Sequence, residues 1–208
     1  IKPDDFIIEV GSNIGSLTIP MARFAGTIMA FEPERTAFYT LAGNIALNNL
    51  RNVFCFHQVM SKTTGIMNIP ELDYVKTDNF GGLELDKDYS NCAHYPVGMN
   101  TIDNLNLTKC DLIKIDVEGM ELSVLEGANE TIDKFSPILV VEDDRQHKSE
   151  VLRDYIRSKG YKMYLQEAPF YNPDNFYEVK ENYFGNVVSL NLFCCKDDSF
   201  AEFGLPLV

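Results

Sequence analysis

The feature that most constrains the fold of this chain is a repeated alternation of short apolar runs with longer amphipathic stretches. The short runs are apolar throughout, which is typical of strands buried on both faces of a parallel sheet. They predict strands over residues 6–10, 27–31, 53–58, 112–116, 137–142, 161–165 and 187–195. The amphipathic stretches predict helices over residues 14–25, 35–48, 121–135 and 149–159.

This alternation of strand and helix predicts an α/β fold of three layers, Rossmann-like, with a mostly parallel sheet. Ser149 is expected to cap its helix and Gly160 to end it. Right-handed crossovers would place ligand sites at the carboxyl ends of the strands. Two segments interrupt the rhythm: residues 60–100, interpreted as a loop and β insertion, and residues 166–186, interpreted as a long aromatic loop.

Length and charge narrow the class of protein. The 208 residues suit a single domain, and the missing initiator Met suggests a domain cut from a longer polypeptide. No run of about 20 apolar residues predicts a membrane span, and a net charge of −13 disfavours nucleic acid as a partner. Five cysteines without a CxxC pair indicate free thiols in a reducing compartment, so an intracellular, cytoplasmic location is expected.

The turn after the first strand reads Glu9-Val-Gly11-Ser12-Asn13-Ile-Gly15. Gly11 permits a tight turn, and Gly15 permits close contact between the backbone and a ligand or the sheet. A dinucleotide site would have glycine where Asn13 stands. Glu9 favours a ligand with a positive group, since a carboxylate beside a pyrophosphate would be repulsive.

The second strand ends at Glu32-Pro33. A carboxylate at this position can accept both hydroxyls of a ribose, unless Glu32 only caps the following helix. Glu9, Gly11 and Glu32 together suit an adenosine that carries an amino-acid tail and a sulfonium, which is S-adenosylmethionine. A nucleotide-dependent oxidoreductase is the disfavoured alternative.

Three motifs resemble those of the FkbM-type methyltransferase family. They are Val-Gly-Ser-Asn-Ile-Gly at 10–15, Phe-Glu-Pro at 31–33, and Lys-Ile-Asp-Val-Glu-Gly-Met-Glu at 114–121 followed by Gly-Ala at 127–128. The resemblance covers about residues 5–142. It implies a class I methyltransferase that uses S-adenosylmethionine, with a seven-stranded sheet whose last strand is reversed, acting on hydroxyls of sugars or natural products.

The predicted cofactor site combines the motif positions with their neighbours. Ser12 stands where the family often has Ala, and Met60-Ser61 where it often has Ser-Asp, although Ser61 can still form a hydrogen bond to an adenine. The predicted cofactor residues are Glu9, Gly11, Ser12, Asn13, Gly15, Glu32, Pro33, Ser61 and Asp116.

Catalysis is expected from the carboxylates that follow the fourth and fifth strands. A sugar hydroxyl needs a general base or a metal ion to become a good nucleophile. Asp116 and Glu118 are catalytic candidates, and Asp116, Glu142 and Asp143 are candidate ligands for Mg²⁺ or Mn²⁺. Glu118 could instead hold loop amides, and Lys114 could pair with a carboxylate.

His147 is a third catalytic candidate, because a histidine titrates near neutrality and this one follows the fifth strand. The aromatic loop at 166–186 could stack on sugar rings or could only pack under a long loop. The leading hypothesis is therefore an O-methyltransferase for a sugar of a glycan or glycoconjugate. The alternatives are a small natural product as acceptor, or a non-catalytic cofactor- or glycan-binding domain. Linked domains such as a glycosyltransferase are the expected covalent partners.

Overall fold

A computed structural model of the chain describes residues 1–72 and 92–208. Seven strands form the main sheet, in the order β3-β2-β1-β7-β8-β10-β9, and a smaller sheet has the order β4-β6-β5. The strands are β1 (Phe6–Val10), β2 (Thr27–Phe31), β3 (Val53–Phe56), β4 (Val59–Met60), β5 (Gly65–Pro70), β6 (His94–Asn100), β7 (Leu112–Ile115), β8 (Ile138–Glu142), β9 (Lys162–Pro169) and β10 (Val188–Cys195).

The predicted fold is confirmed, including the reversed last strand. Strands β3, β2, β1, β7 and β8 pair in parallel, whereas β10 lies antiparallel between β8 and β9. Strand β1 is buried because a helical layer covers each face of the sheet. Ile7 packs with one core and Ile8 with the other, and both are fully buried.

Helices cover the two faces of the sheet. They are α1 (Thr18–Ala22), α2 (Arg35–Leu47), α3 (Glu121–Glu126), α4 (Asn129–Phe135) and α5 (Gln146–Ser158). The core on one face contains Ala22 of α1 and Leu41 of α2. The core on the other face contains Val124 of α3, Ile132 of α4 and Leu152 of α5.

Several helix bounds differ from the prediction. The helix expected over 14–25 forms only as α1, because Asn13 and Gly15 adopt positive φ values of 47° and 91° and keep the chain in turns. The helix expected over 121–135 is broken at Gly127, where a Cβ would lie 2.1 Å from the Ser61 carbonyl oxygen. Residue 127 must therefore pack its backbone against the neighbouring loop.

Helix α5 begins three residues earlier than predicted. Arg145 occupies its N-cap, so the capping role expected for Ser149 is wrong. The Ser149 hydroxyl instead donates to Asp143 Oδ2 at 2.8 Å. The stop at Gly160 is confirmed, since this residue follows the C-cap with φ of 78°, a value that glycine adopts readily.

The small sheet belongs to the insertion predicted over 60–100, of which residues 73–91 lie outside the described parts of the chain. It contacts the start of α2 through Tyr95, whose hydroxyl accepts from the Arg35 backbone N–H at 2.7 Å. The Arg35 guanidinium lies 4.6 Å from the Tyr95 ring centroid. These contacts hold the insertion beside the carboxyl end of β2.

Two composition-based expectations concern cysteines and membranes. The five cysteines are free thiols, as expected. Across residues 1–72 and 92–208, every helix is too short or too polar to cross a bilayer.

Candidate active site

A cavity of about 350 Å³ opens at the carboxyl edge of the main sheet. The walls include residues that follow β1, β2, β3, β7 and β8, at the edge where parallel α/β sheets bind ligands. The wall residues include Gly11, Asn13, Glu32, Asp116, Glu118, Glu142 and Phe170. The cavity therefore brings together residues from several separate turns.

The glycine turn after β1 is fixed by its backbone. The N–H groups of Gly11 and Ser12 donate to the Phe31 carbonyl oxygen at 3.0 and 3.1 Å. Gly11 has φ of 78°, and a Cβ there would lie 1.7 Å from the carbonyl oxygen of Asp116. No side chain larger than hydrogen fits, so this glycine allows the turns after β1 and β7 to touch.

Glu32 faces the cavity with its carboxylate already oriented. Oε2 accepts the Asn13 backbone N–H at 2.7 Å and Oε1 accepts the Glu34 backbone N–H at 2.8 Å. Each oxygen keeps a further lone pair for a ligand hydroxyl. Burial raises the pKa of Glu32 to about 7, although the two N–H donors oppose that shift.

Three carboxylates meet on the opposite wall, where Asp116, Glu118 and Glu142 can each bring one oxygen within 4.8 Å of the others. The register of the sheet brings Asp116 close to Glu142. Ile115 pairs with Val141, so the residues that follow them lie side by side. Glu118 has φ of 55° and forms an ion pair with Arg145.

Glu142 is the most perturbed member of this carboxylate group. Its Oε2 is buried and has no hydrogen-bond partner among the described residues. Burial raises the pKa of Glu142 to about 9, and the nearby charges of Asp116 and Glu118 add to the effect. Such a group can hold a proton at neutral pH or share a cation with its neighbours.

Lys114 lies under the cavity between two carboxylates. Its Nζ is 3.3 Å from Asp116 Oδ2 and 3.7 Å from Glu9 Oε1. The expected pairing of Lys114 with a carboxylate is confirmed. Glu9 is fully buried, and burial raises its pKa while Lys114 opposes that rise.

Four predicted cofactor residues do not line the cavity. The carboxylate of Glu9 accepts from the Thr18 hydroxyl at 2.6 Å instead of facing a ligand, and Ser12 is buried with its hydroxyl donating to the Glu9 carbonyl oxygen at 3.3 Å. Gly15 makes room for α2, since a Cβ would lie 2.8 Å from Leu41 Cδ1. Ser61 is buried and lies outside the cavity wall.

Two predicted site residues, Asp143 and His147, do not line the first cavity. Asp143 follows Glu142 in the chain and therefore points to the opposite face of the sheet. There it pairs with Arg153 at 2.7 Å, so the structure gives no support to its predicted role as a metal ligand. His147 is exposed and lines a second cavity between α3 and α5, and Glu142 lines both this cavity and the first.

Several wall residues were not predicted from the sequence. Gln58, Val59 and Met60 follow β3 and line the cavity in place of Ser61, and Pro33 lies there as predicted. Their position after a parallel strand was a usable signal, because every such strand ends at this edge. Phe170 also lines the wall, placing the start of the predicted aromatic loop at the cavity.

The strand order, the reversed β10 and the cavity at the carboxyl edge together define a Rossmann-like methyltransferase fold. The family model described as "Methyltransferase FkbM domain" matches residues 9–163 of the chain. The chain belongs to this family of S-adenosylmethionine-dependent methyltransferases, as the resemblance implied.

Two curated relatives carry methyltransferase names. "Methyltransferase 1" of Beauveria bassiana (strain ARSEF 2860) is 26% identical over 195 residues, which cover 83% of this chain and 78% of the relative. "Methyltransferase sdnD" of Sordaria araneosa is 29% identical over 165 residues, which cover 62% of each chain. This chain thus spans less than two thirds of the length of sdnD.

Solved structures share the fold at low sequence identity. The FkbM methyltransferase from Methylobacillus flagellatus KT superposes with a TM-score of 0.64 and 17% identity, over 93% of this chain and 44% of that one. A precorrin-6y C5,15-methyltransferase from Geobacter metallireducens GS-15 gives a TM-score of 0.57 and 12% identity, over 95% of this chain and 82% of that one. The chain spans less than half the length of the first structure.

Proposed function

We propose that this chain is an O-methyltransferase that transfers the methyl group of S-adenosylmethionine to a hydroxyl of a sugar in a glycan or glycoconjugate. One observation carries the proposal: a single cavity joins the oriented carboxylate of Glu32 to the carboxylate group of Asp116, Glu118 and Glu142. The first wall suits a nucleoside and the second suits a hydroxyl that must lose a proton. A covalently linked glycosyltransferase domain would supply the sugar to be methylated.

The residues present fit the cofactor. Glu32 offers a free lone pair on each oxygen for a ribose diol, and Gly11 lines the cavity beside it. The acidic wall also suits a sulfonium and an ammonium group. When bound, the cofactor supplies an electrophilic methyl group, whereas the protein must orient the acceptor and remove its proton.

The acceptor would lie against the carboxylate wall. A carboxylate can accept a hydrogen bond from a sugar hydroxyl and take up its proton as the methyl bond forms. Asp116 is the best-placed base, because it borders the cavity and its side chain is 40% exposed. Phe170 offers an aromatic face for the apolar side of a sugar ring.

A divalent cation would give the carboxylate group a second role. Mg²⁺ or Mn²⁺ bound by Asp116, Glu118 and Glu142 would relieve the repulsion between them and acidify a bound hydroxyl. Glu142 Oε2 supports this role, because it is buried, has no hydrogen-bond partner among the described residues, and could bind a cation. Without a cation, Glu142 would already carry a proton at neutral pH, and Asp116 would take up the proton of the acceptor.

The decisive experiment incubates the protein with S-adenosylmethionine labelled in its methyl group and a panel of glycans, glycosides and natural products, with and without a chelator. Label in a sugar methyl ether supports the proposal. Label only on a non-sugar hydroxyl would overturn the acceptor class. Donor binding without any transfer would favour a binding domain.

Two variants refine this experiment. Asp116→Asn should abolish transfer and leave S-adenosylhomocysteine affinity within about threefold, since the amide keeps the size of the side chain but cannot take a proton. Asp154→Asn is the matched control, because Asp154 lies on α5 and pairs with exposed Arg157. Transfer lost on chelation and restored by Mn²⁺ would support the cation, whereas chelator-resistant transfer would contradict it.

A further inference from the structure

A row of three charged side chains runs along one face of the sheet beneath the cavity. Glu9 and Lys114 are register partners on β1 and β7, and Asp116 follows two residues later on the same face. The Lys114 ammonium lies 3.7 Å from the Glu9 carboxylate and 3.3 Å from that of Asp116. It therefore links a buried carboxylate to one that borders the cavity.

The two carboxylates differ in how they are held. Glu9 is fully buried and also accepts from the Thr18 hydroxyl at 2.6 Å, so its position is fixed without Lys114. Asp116 has a half-exposed side chain, and Lys114 is the hydrogen-bond donor to its carboxylate in the described ranges 1–72 and 92–208. The direction of the Asp116 carboxylate therefore depends on Lys114.

Lys114 also contacts the glycine turn, but this turn has other restraints. Its Nζ lies 3.4 Å from the Gly11 carbonyl oxygen. The N–H groups of Gly11 and Ser12 are separately bonded to Phe31, and the Asp116 backbone N–H donates to the Val10 carbonyl oxygen at 3.0 Å. Removing the ammonium would leave these backbone bonds in place and release one side chain.

We propose that Lys114 is a positioning residue that aims the Asp116 carboxylate at the acceptor, with Glu9 as the buried counterion that anchors the ammonium. This inference rests on the proposed function, since it assigns Lys114 a role in the same methyl transfer. Misplacing a reacting group by about 1 Å can cost about a hundredfold in rate. Loss of Lys114 should therefore lower kcat and leave the affinity for the cofactor unchanged.

The test compares Lys114→Met with the double variant Glu9→Gln and Lys114→Met. The single variant leaves Glu9 buried without its cation, so its urea midpoint should fall. The double variant removes both charges and keeps an acceptor for Thr18, so its midpoint should recover. Lys109→Met is the control, since Lys109 pairs at the surface with Asp4 and Asp111.

Each variant is measured for S-adenosylhomocysteine affinity by calorimetry and for kcat and KM with the acceptor that the panel identifies. We expect both Lys114 variants to bind S-adenosylhomocysteine within about threefold of the wild type and to lose about a hundredfold in kcat. The control variant should match the wild type in both. A merely structural lysine would regain its kcat when the second substitution restores stability.

The outcomes separate this inference from the proposed function. A wild-type protein that binds no S-adenosylhomocysteine, or transfers no methyl group, overturns the function and the role of Lys114 with it. A wild-type protein that transfers methyl groups, with a double variant equally fast, overturns the positioning role alone. A loss of S-adenosylhomocysteine affinity above tenfold in both variants would also overturn it, because Lys114 would then act on the glycine turn.

Discussion

The affinity of the cavity for S-adenosylhomocysteine should fall as the pH drops through 7. Burial raises the pKa of Glu32 to about 7 in the free protein. A ribose diol would use the free lone pairs of the ionised carboxylate, and a proton would occupy one of them. Binding therefore requires the ionised form of Glu32. The affinity should be highest above this pKa and should fall below it.

The size of the effect follows from that pKa. About nine tenths of Glu32 is ionised at pH 8 and about one tenth at pH 6, for a pKa of about 7. The dissociation constant should therefore rise about tenfold between these pH values, which corresponds to ~1.4 kcal/mol. Below pH 6 the slope should approach tenfold per pH unit.

Calorimetric titrations at pH 6, 7 and 8 and constant ionic strength measure this slope. Glu32→Gln is the control, because an amide does not titrate in this range and has one acceptor oxygen instead of two. This variant should bind at least about tenfold more weakly at pH 8, as expected for a lost hydrogen bond to a charged group, and its affinity should be flat across the series.

Titration of the ligand itself contributes equally to both curves. Equal slopes for wild type and Glu32→Gln would thus refute the assignment of the ribose to Glu32. A wild-type affinity that does not change between pH 6 and pH 8 would refute it as well.

Three further predictions concern stability. Gly11→Ala should cost about 3 kcal/mol or more in urea unfolding, whereas Gly160→Ala, at the same φ of 78° but in open space, should cost about 1 kcal/mol. Arg153→Met should cost about 3 kcal/mol, because it leaves the buried charge of Asp143 without its ion-pair partner. The affinity for S-adenosylhomocysteine should be unchanged. A weaker affinity would contradict a purely structural role for this ion pair. The folded-state pKa of Glu142 is about 9, above its unfolded value. The contribution of Glu142 to the free energy of unfolding therefore falls as the pH rises from about 5 to 9. Glu142→Gln should stabilise the protein by about 2 kcal/mol at pH 8 and by almost nothing at pH 5.

Sequence patterns predicted the sheet well because its strands are apolar on both faces. The bounds of β1 and β2 match the prediction to the residue, since turn residues delimit those runs sharply. Helix α1 was overestimated because apolar spacing continues through residues 13–17, where positive φ angles at Asn13 and Gly15 prevent a helix. The break at Gly127 depends on a contact with Ser61, far away in sequence.

The sequence predicted the location of those site residues that lie directly after a strand. Gly11, Glu32 and Asp116 lie at the carboxyl edge, as their positions after strands required. Asp143 was a candidate metal ligand together with Asp116 and Glu142, although strand alternation from Glu142 points its side chain to the opposite face. The burial of Glu9 could not be predicted, because it depends on Thr18 folding over the strand.

The position of β10 has a consequence for the order of assembly. Its neighbours β8 and β9 both bond to β10 and not to each other, so β9 has no partner in the sheet until the later strand has been synthesised. A nascent chain that stops short of residue 188 would expose the edge of β8 and an unpaired β9, and unpaired edges invite aggregation. Chaperone demand during translation should therefore peak just before β10 leaves the ribosome and fall once it inserts.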